Sequence, residues 1–330
     1  MKTGAWIIAA VLLAIVLITG ATYEQVARAR DREELRQIGR SIDIGGRALN
    51  LDCAGSGSPA VIFESGAPRP GYSWVFIQRE AAKFTRACWY DRAGFGWSDL
   101  GPYPRTSAAS AHDLHALLER AAIRPPYVLV SETSAAFDAR VYTGFFPEEV
   151  AGAVMVDGVH PDLFLRLPQI RGKGAPVAKY AGYPQSVVSQ AVSELGLLRL
   201  LSKPRPLGPL PPELTVEEWT TIWRLTNRPQ ARVALLQEFP ATDQSIAQAR
   251  AAGDLDDRPL RIVSGAPEDS ALPEDDIGMQ LQADLVRLSR RGKHVIVEEP
   301  SRGFLLYQAP HAVTDSVHEV VEEVRRLGRN

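Results

Sequence analysis

The chain opens on an uncharged apolar run, "GAWIIAAVLLAIVLITGAT", over residues 4–22. At about 1.5 Å of helical rise per residue the run measures about 28 Å, close to the ~30 Å hydrocarbon thickness of a bilayer. It predicts an N-terminal membrane anchor within residues 1–22, with membrane contact through 4–22. A signal peptide cut after Ala21, behind the small residues Thr19 and Gly20, is the alternative. Residues 23–37 mix Glu24, Asp31, Glu33 and Glu34 with Arg28, Arg30, Arg32 and Arg36, the pattern of a polar helical linker. Those arginines, weighed against Lys2, favour a cytoplasmic side for the remainder of the chain.

Beyond residue 38 the pattern becomes short apolar runs separated by helix-spaced stretches. Runs at 41–44, 47–54, 60–65, 87–91, 127–130, 150–156, 260–264 and 294–299 predict strands, the first two joined by a Gly45-Gly46 hairpin turn. Helices are predicted at 73–83, 107–122 and 134–145, between the last two strands, and in a final segment that places Val313, Val317, Val320, Val321 and Val324 on one face. Continuously apolar strands alternating with helices imply a mostly parallel, doubly wound sheet covered on both faces. Residues 163–255 interrupt this rhythm. They are helical and proline-punctuated, with Val188, Val192, Leu195 and Leu198 periodic and "WTTIW" at 219–223. An insert between two strands is expected over the carboxyl ends of the sheet, where open α/β proteins bind ligands. It either lines a cleft there or packs on the sheet.

Composition narrows the function. The 330 residues are 45% hydrophobic and 23% charged, with a formal net charge of −2, ordinary globular values. Without a basic run there is no electrostatic footprint for nucleic acid. The sequence has no P-loop, no G-x-G-x-x-G after a strand and no zinc-type Cys/His spacing, so neither a cofactor nor a metal is expected.

Three blocks carry a resemblance. "VIFESGAPRPGYSW" (61–74) looks like a strand and oxyanion loop. "YDRAGFGWSD" (90–99) looks like a glycine-spaced turn after the fourth strand. "RPPYVLVSETSAAFDARVYTGFFPEEVAGAVMVDGVHPD" (124–162) looks like a nucleophile-elbow strand with its helix and the next strand. Together with "RPLRIVSGAPED" and "HVIVEEPSRGFLLYQAP", they resemble the α/β-hydrolase fold family, in particular its membrane-anchored bacterial members. The resemblance implies one domain over 38–330 with a helical lid at about 163–255.

The family's elbow, G-x-S-x-G, holds its nucleophile on a strained strand-to-helix turn. The matching positions here are Ser131, Glu132, Thr133, Ser134 and Ala135, which puts Thr133 at the nucleophile position and Ser134 next to it as an alternative. A β-branched residue at the φ > 0 of an elbow is an outlier. The family's histidine position falls on Gly303, which has no side chain. His160, in the loop after the next strand, is the remaining candidate base, with hydrogen bonding inside its own loop as the competing reading. Asp157, Glu268 and Asp269 are the acid candidates, and the backbone N–H groups of Ala67 and Ser134 would form the oxyanion hole.

The resemblance therefore implies a degraded triad: a pseudo-hydrolase that binds a small apolar or acyl ligand or a partner. The alternative is an active hydrolase of small esters using Thr133 or Ser134. In the family's sheet order the strands bearing Cys53 and Cys88 are neighbours. A disulfide between them would place the domain outside the cytoplasm, against the arginine bias; two reduced, buried cysteines are the other reading.

Overall fold

The computed structural model describes residues 2–168, 192–201, 208–266, 273–298 and 305–328. Glu268, Asp269, Gly303 and Val188 lie outside them.

Helix α1 (Lys2–Glu34) carries the apolar run and continues unbroken into the polar residues after it. Its stretch Trp6–Asp31 is long and apolar enough to cross a membrane, and the most apolar part of it is not buried in the protein. The domain beyond it is built on eight strands: β1 (Arg40–Asp43), β2 (Ala48–Ala54), β3 (Ala60–Glu64), β4 (Ala87–Tyr90), β5 (Tyr127–Glu132), β6 (Val150–Val156), β7 (Leu260–Gly265) and β8 (Gly292–Val297). They lie in the order β1-β2-β4-β3-β5-β6-β7-β8. The β1–β2 and β2–β4 pairs are antiparallel, and every other pair is parallel.

The two-residue period of the strands divides the core into two layers. Val61, Phe63, Trp89, Val128, Val130, Val154 and Val156 face one side. There they meet α2 (Val75–Ala81) and the buried stripe Val313, Val317, Val320 and Val321 of the C-terminal helix α12 (Pro310–Leu327). Ile62, Cys88, Tyr90, Tyr127 and Leu129 face the other, against Leu114, Leu117 and Leu118 of α3 (Ser107–Arg120) and Phe137 and Val141 of α4 (Ala135–Phe145). Thr106 caps α3, accepting a hydrogen bond from the Ala109 N–H and satisfying one otherwise orphaned amide. In this register Cys53 lies opposite Cys88, and the two form a disulfide.

Between β6 and β7 the described residues form α5 (Leu163–Arg166), α6 (Leu197–Leu201), α7 (Val216–Thr226), α8 (Pro229–Glu238) and α9 (Thr242–Ala251). Helix α7 begins in a Thr215/Glu218 capping box, the reciprocal pairing that fixes a helix start. The predicted periodic run through Leu195 and Leu198 is not one helix, because Gly196 at φ +70° turns the chain between them. The insert also departs from a simple cover over the strand ends. Ile222 and Leu225 of α7 join the α12-side core, and Ile246 and Ala249 of α9 join the opposite layer. Ala231 and Ala234 of α8 pack with Phe95, against Ala67 and Leu100, at the ends of the strands. Helices α10 (Pro273–Val286) and α11 (Leu305–Gln308) complete the described α-helices.

Candidate active site

Strand β5 ends at Glu132 and α4 starts at Ala135, so the chain must reverse within Thr133 and Ser134. It does so with Thr133 at φ +47°, a left-handed conformation that costs a non-glycine residue about 1–3 kcal/mol. Backbone bonds hold it there. The Thr133 N–H donates to the Val156 carbonyl (3.0 Å), and the Thr133 carbonyl accepts from Val159 N–H (3.0 Å) and Ala136 N–H (3.2 Å). The elbow is thus tied to the end of β6 and to the loop after it.

The Thr133 side chain faces the loop after β3. A Cβ added at Gly66 would lie 1.9 Å from Thr133 Oγ1 and 2.8 Å from the Glu132 carbonyl oxygen. Only glycine permits this approach. The Thr133 hydroxyl has no hydrogen-bond partner among the described residues, and neither it nor the Ser134 hydroxyl meets a histidine there.

The two amides expected at an oxyanion hole have different surroundings. The Ala67 N–H points toward Ser134 Oγ at a long 3.4 Å. The Ser134 N–H has no acceptor among the described residues. His160 is half-buried, and its Nδ1 accepts from the Asp162 N–H at 3.0 Å. Burial lowers its pKa from the usual histidine value, with Asp162 acting in the opposite direction. Asp157 follows β6 at φ +46° and donates its N–H to the Val263 carbonyl at 2.8 Å. The structure therefore brings Thr133, Ser134, Gly66, Ala67 and the 157–160 loop to one end of the sheet, without an imidazole on either hydroxyl.

These strand ends, the elbow and the loop after β3 together match known proteins. The chain has the α/β-hydrolase fold. Epoxide hydrolase VrEH1 from Vigna radiata superposes with a TM-score of 0.62 at 17% identity, covering 87% of this chain and 98% of that one. A thermophilic esterase from Thermogutta terrifontis gives 0.58 at 16% identity, covering 87% and 99%. No family model matches the sequence. Among curated proteins, an AB hydrolase superfamily protein of Gibberella zeae is 30% identical over 103 residues, 30% of this chain and 32% of that protein. A probable transporter, efuK, of Hormonema carpetanum is 32% identical over 135 residues, 38% of this chain and 19% of the other. An uncharacterized vacuolar membrane protein of Saccharomyces cerevisiae is 32% identical over 126 residues, 35% of this chain and 20% of the other. The chain thus spans less than half the length of each of these curated relatives.

The hydrolase-fold elbow is underlain by charges that sequence reasoning missed. Glu132, 2% exposed, pairs with Arg69 of the loop after β3, whose Nε donates to Glu132 Oε2 at 3.1 Å. Deeper in, buried Arg92 donates to Asp138 Oδ2 (3.0 Å) and to Glu238 Oε1 (2.8 Å) and Oε2 (3.2 Å). Burial disfavours the Arg92 charge, but Glu238, Asp138 and Glu64 more than offset this and push its pKa up. Glu64, at the end of β3, accepts from the Tyr90 hydroxyl. Burial, reinforced by Asp138, pushes the Glu64 carboxyl up to about 8. A cavity of about 70 Å³ lies beside this cluster, lined in part by Ser134, Arg92, Arg105 and Ser245.

In the "YDRAGFGWSD" turn, Asp91 is fully buried. It accepts from Gly71 N–H (2.6 Å), Trp97 N–H (3.0 Å) and Asn50 Nδ2 (3.0 Å). Burial raises its pKa to about 6 against the pull of those donors. Its role is to fasten this loop to the start of the 71–81 helical segment.

Proposed function

We propose that this chain is a membrane-tethered α/β-hydrolase-fold protein whose serine-hydrolase machinery is degraded. On this reading it binds a small apolar or acyl ligand rather than hydrolysing esters at an enzyme's ordinary rate. The observation that carries it is the elbow hydroxyl: Thr133 Oγ1 has no base bonded to it among the described residues. In the sequence, the position expected to supply an imidazole is Gly303. An alcohol near neutral pH is a weak nucleophile without an adjacent base. In a serine-hydrolase triad, losing the serine or the histidine costs about 10⁶ in turnover.

The insert helices act as a lid in this reading, and α1 is the tether. The Cys53–Cys88 disulfide supports a position outside the cytoplasm, since such bonds persist in oxidising compartments. One observation favours an active hydrolase instead: Thr133 keeps the left-handed turn of a working elbow, and the Ser134 N–H stays open for an oxyanion.

The two readings separate in an assay of the purified chain on short aryl esters. The expected result is no turnover above background in the parent, and its appearance when Thr133→Ser is combined with Gly303→His. Turnover of ~1 s⁻¹ or more in the parent, abolished by Thr133→Ala or Ser134→Ala, would refute the degraded-triad reading.

A further inference from the structure

The apolar part of α1 is bracketed by two exposed aromatics, Trp6 and Tyr23. The helix between them measures about 26 Å, and tryptophan and tyrosine favour the two membrane–water boundaries. Residues 192–201 of the insert lie against α1 at its Tyr23 end. Gly20 makes the contact possible, since a Cβ there would sit 2.7 Å from the Leu195 carbonyl oxygen, and Gly196 abuts the Tyr23 ring.

Ion pairs just beyond fix the register. Arg28 Nη1 donates to Glu194 Oε1 (2.9 Å) and Oε2 (3.0 Å). Arg199 Nε donates to Glu24 Oε2 (3.0 Å), and Arg199 Nη2 donates to Asp31 Oδ2 (2.9 Å). Glu24 is only 1% exposed in this clasp. The charges closest to the boundary thus compensate one another, which lowers the cost of holding them beside lipid. The segment they position carries Leu197 and Leu200, which are 39% and 64% exposed.

We infer that α6 is a second membrane contact, with Leu197 and Leu200 seated in the boundary between headgroups and acyl chains beside the anchor. This rests on the proposed membrane tether. Lipid is the occupant because the exposed leucines follow directly on Leu195 and Gly196, which pack on Gly20 and on the ring of Tyr23 at the end of the apolar run. Apolar side chains held in that plane add reversible membrane affinity to a helical anchor.

The test uses the full chain in phosphatidylcholine vesicles. Cys53 and Cys88 are bonded to each other, so an introduced cysteine is the only free thiol. A polarity-sensitive fluorophore is attached at Leu200→Cys, Leu197→Cys, Leu17→Cys within the apolar run, or Arg287→Cys on an exposed part of the domain. The vesicles contain lipids brominated near the headgroup end of the acyl chain.

The expected result is blue-shifted, bromine-quenched emission at 200 and 197, with water-like, unquenched emission at 287. Quenching at 17 alone overturns the inference while leaving the anchor intact. No quenching at any position overturns both. A label at 200 that is shielded but unquenched, or a Leu200→Cys cross-link between two copies, assigns the patch to protein and overturns the lipid contact. Agreement between 197 and 200 guards against a local distortion at either one.

Discussion

Replacing Gly66 by alanine tests how closely the elbow presses on the loop after β3. The new Cβ would meet Thr133 Oγ1 at 1.9 Å, the Glu132 carbonyl oxygen at 2.8 Å and Thr133 Cβ at 3.3 Å. Overpacking a tight site costs about 1–3 kcal/mol. With backbone among the contacts, Gly66→Ala belongs at the upper end, about 3 kcal/mol. Thr133→Ala removes the hydroxyl and a methyl group. No hydrogen bond to a described residue is lost, and the methyl's burial, about 0.8 kcal/mol, is offset by release of β-branched strain in the left-handed region. Alone, it should change stability by less than about 1 kcal/mol.

In the double variant the 1.9 Å contact is gone while the 2.8 Å contact persists. The alanine at 66 should then cost only about half as much, a coupling of about 1.5 kcal/mol, typical of residues in direct contact. Guanidinium unfolding of the four detergent-solubilised proteins, followed by the fluorescence of buried Trp74 and Trp89, gives the cycle. Additivity within about 0.5 kcal/mol would show that the Thr133 hydroxyl does not occupy the notch beside Gly66. The close packing of elbow against loop would then be refuted.

Further outcomes are expected elsewhere. Folding raises the Glu64 carboxyl from 4.5 to about 8, so the native state holds that proton when the unfolded chain has lost it. Stability should therefore fall as pH rises from about 4.5 to 8, with Asp91, raised to about 6, contributing to the lower part of the decline. Glu64→Gln keeps an acceptor for Tyr90 and should flatten the slope between pH 6 and 8; unchanged unfolding curves across that window would contradict the assignment. Arg92→Met leaves Asp138 and Glu238 buried without their partner and should cost about 3–5 kcal/mol, measurable as a fall in denaturation midpoint. Reducing the Cys53–Cys88 bond, which closes a loop with a sequence separation of 35 residues, should cost about 4 kcal/mol on the chain-entropy model. Unfolding with and without reductant measures this directly, and titratable free thiols in the unreduced protein would show the bond absent.

The central strands β3 to β7 were legible because they are largely continuous apolar runs, and the left-handed turn at Thr133 was legible through the resemblance of Ser131–Ala135 to the family's elbow pattern. Pairings set only by packing were not. Glu132 finds Arg69 63 residues away, and Arg92 finds Asp138 and Glu238 at separations of 46 and 146. No local period encodes such partners. The approach of the Ala67 amide to Ser134 Oγ was hidden for a related reason: it depends on how one loop settles against another. The sequence signals for the buried cluster were present but unspecific, namely a glutamate closing the apolar run of β3 and an arginine following the "YD" of β4.

The unbroken course of α1 from Lys2 to Glu34, clasped along its polar half, has a mechanical consequence. On the proposed membrane tether, a domain joined through such a continuous, ion-paired stalk would not tumble about a swivel and would keep one attitude toward the leaflet. The proposed ligand site would then sample solutes dissolved in a two-dimensional film rather than in the bulk. A weak intrinsic affinity for a sparingly soluble molecule would be sufficient there.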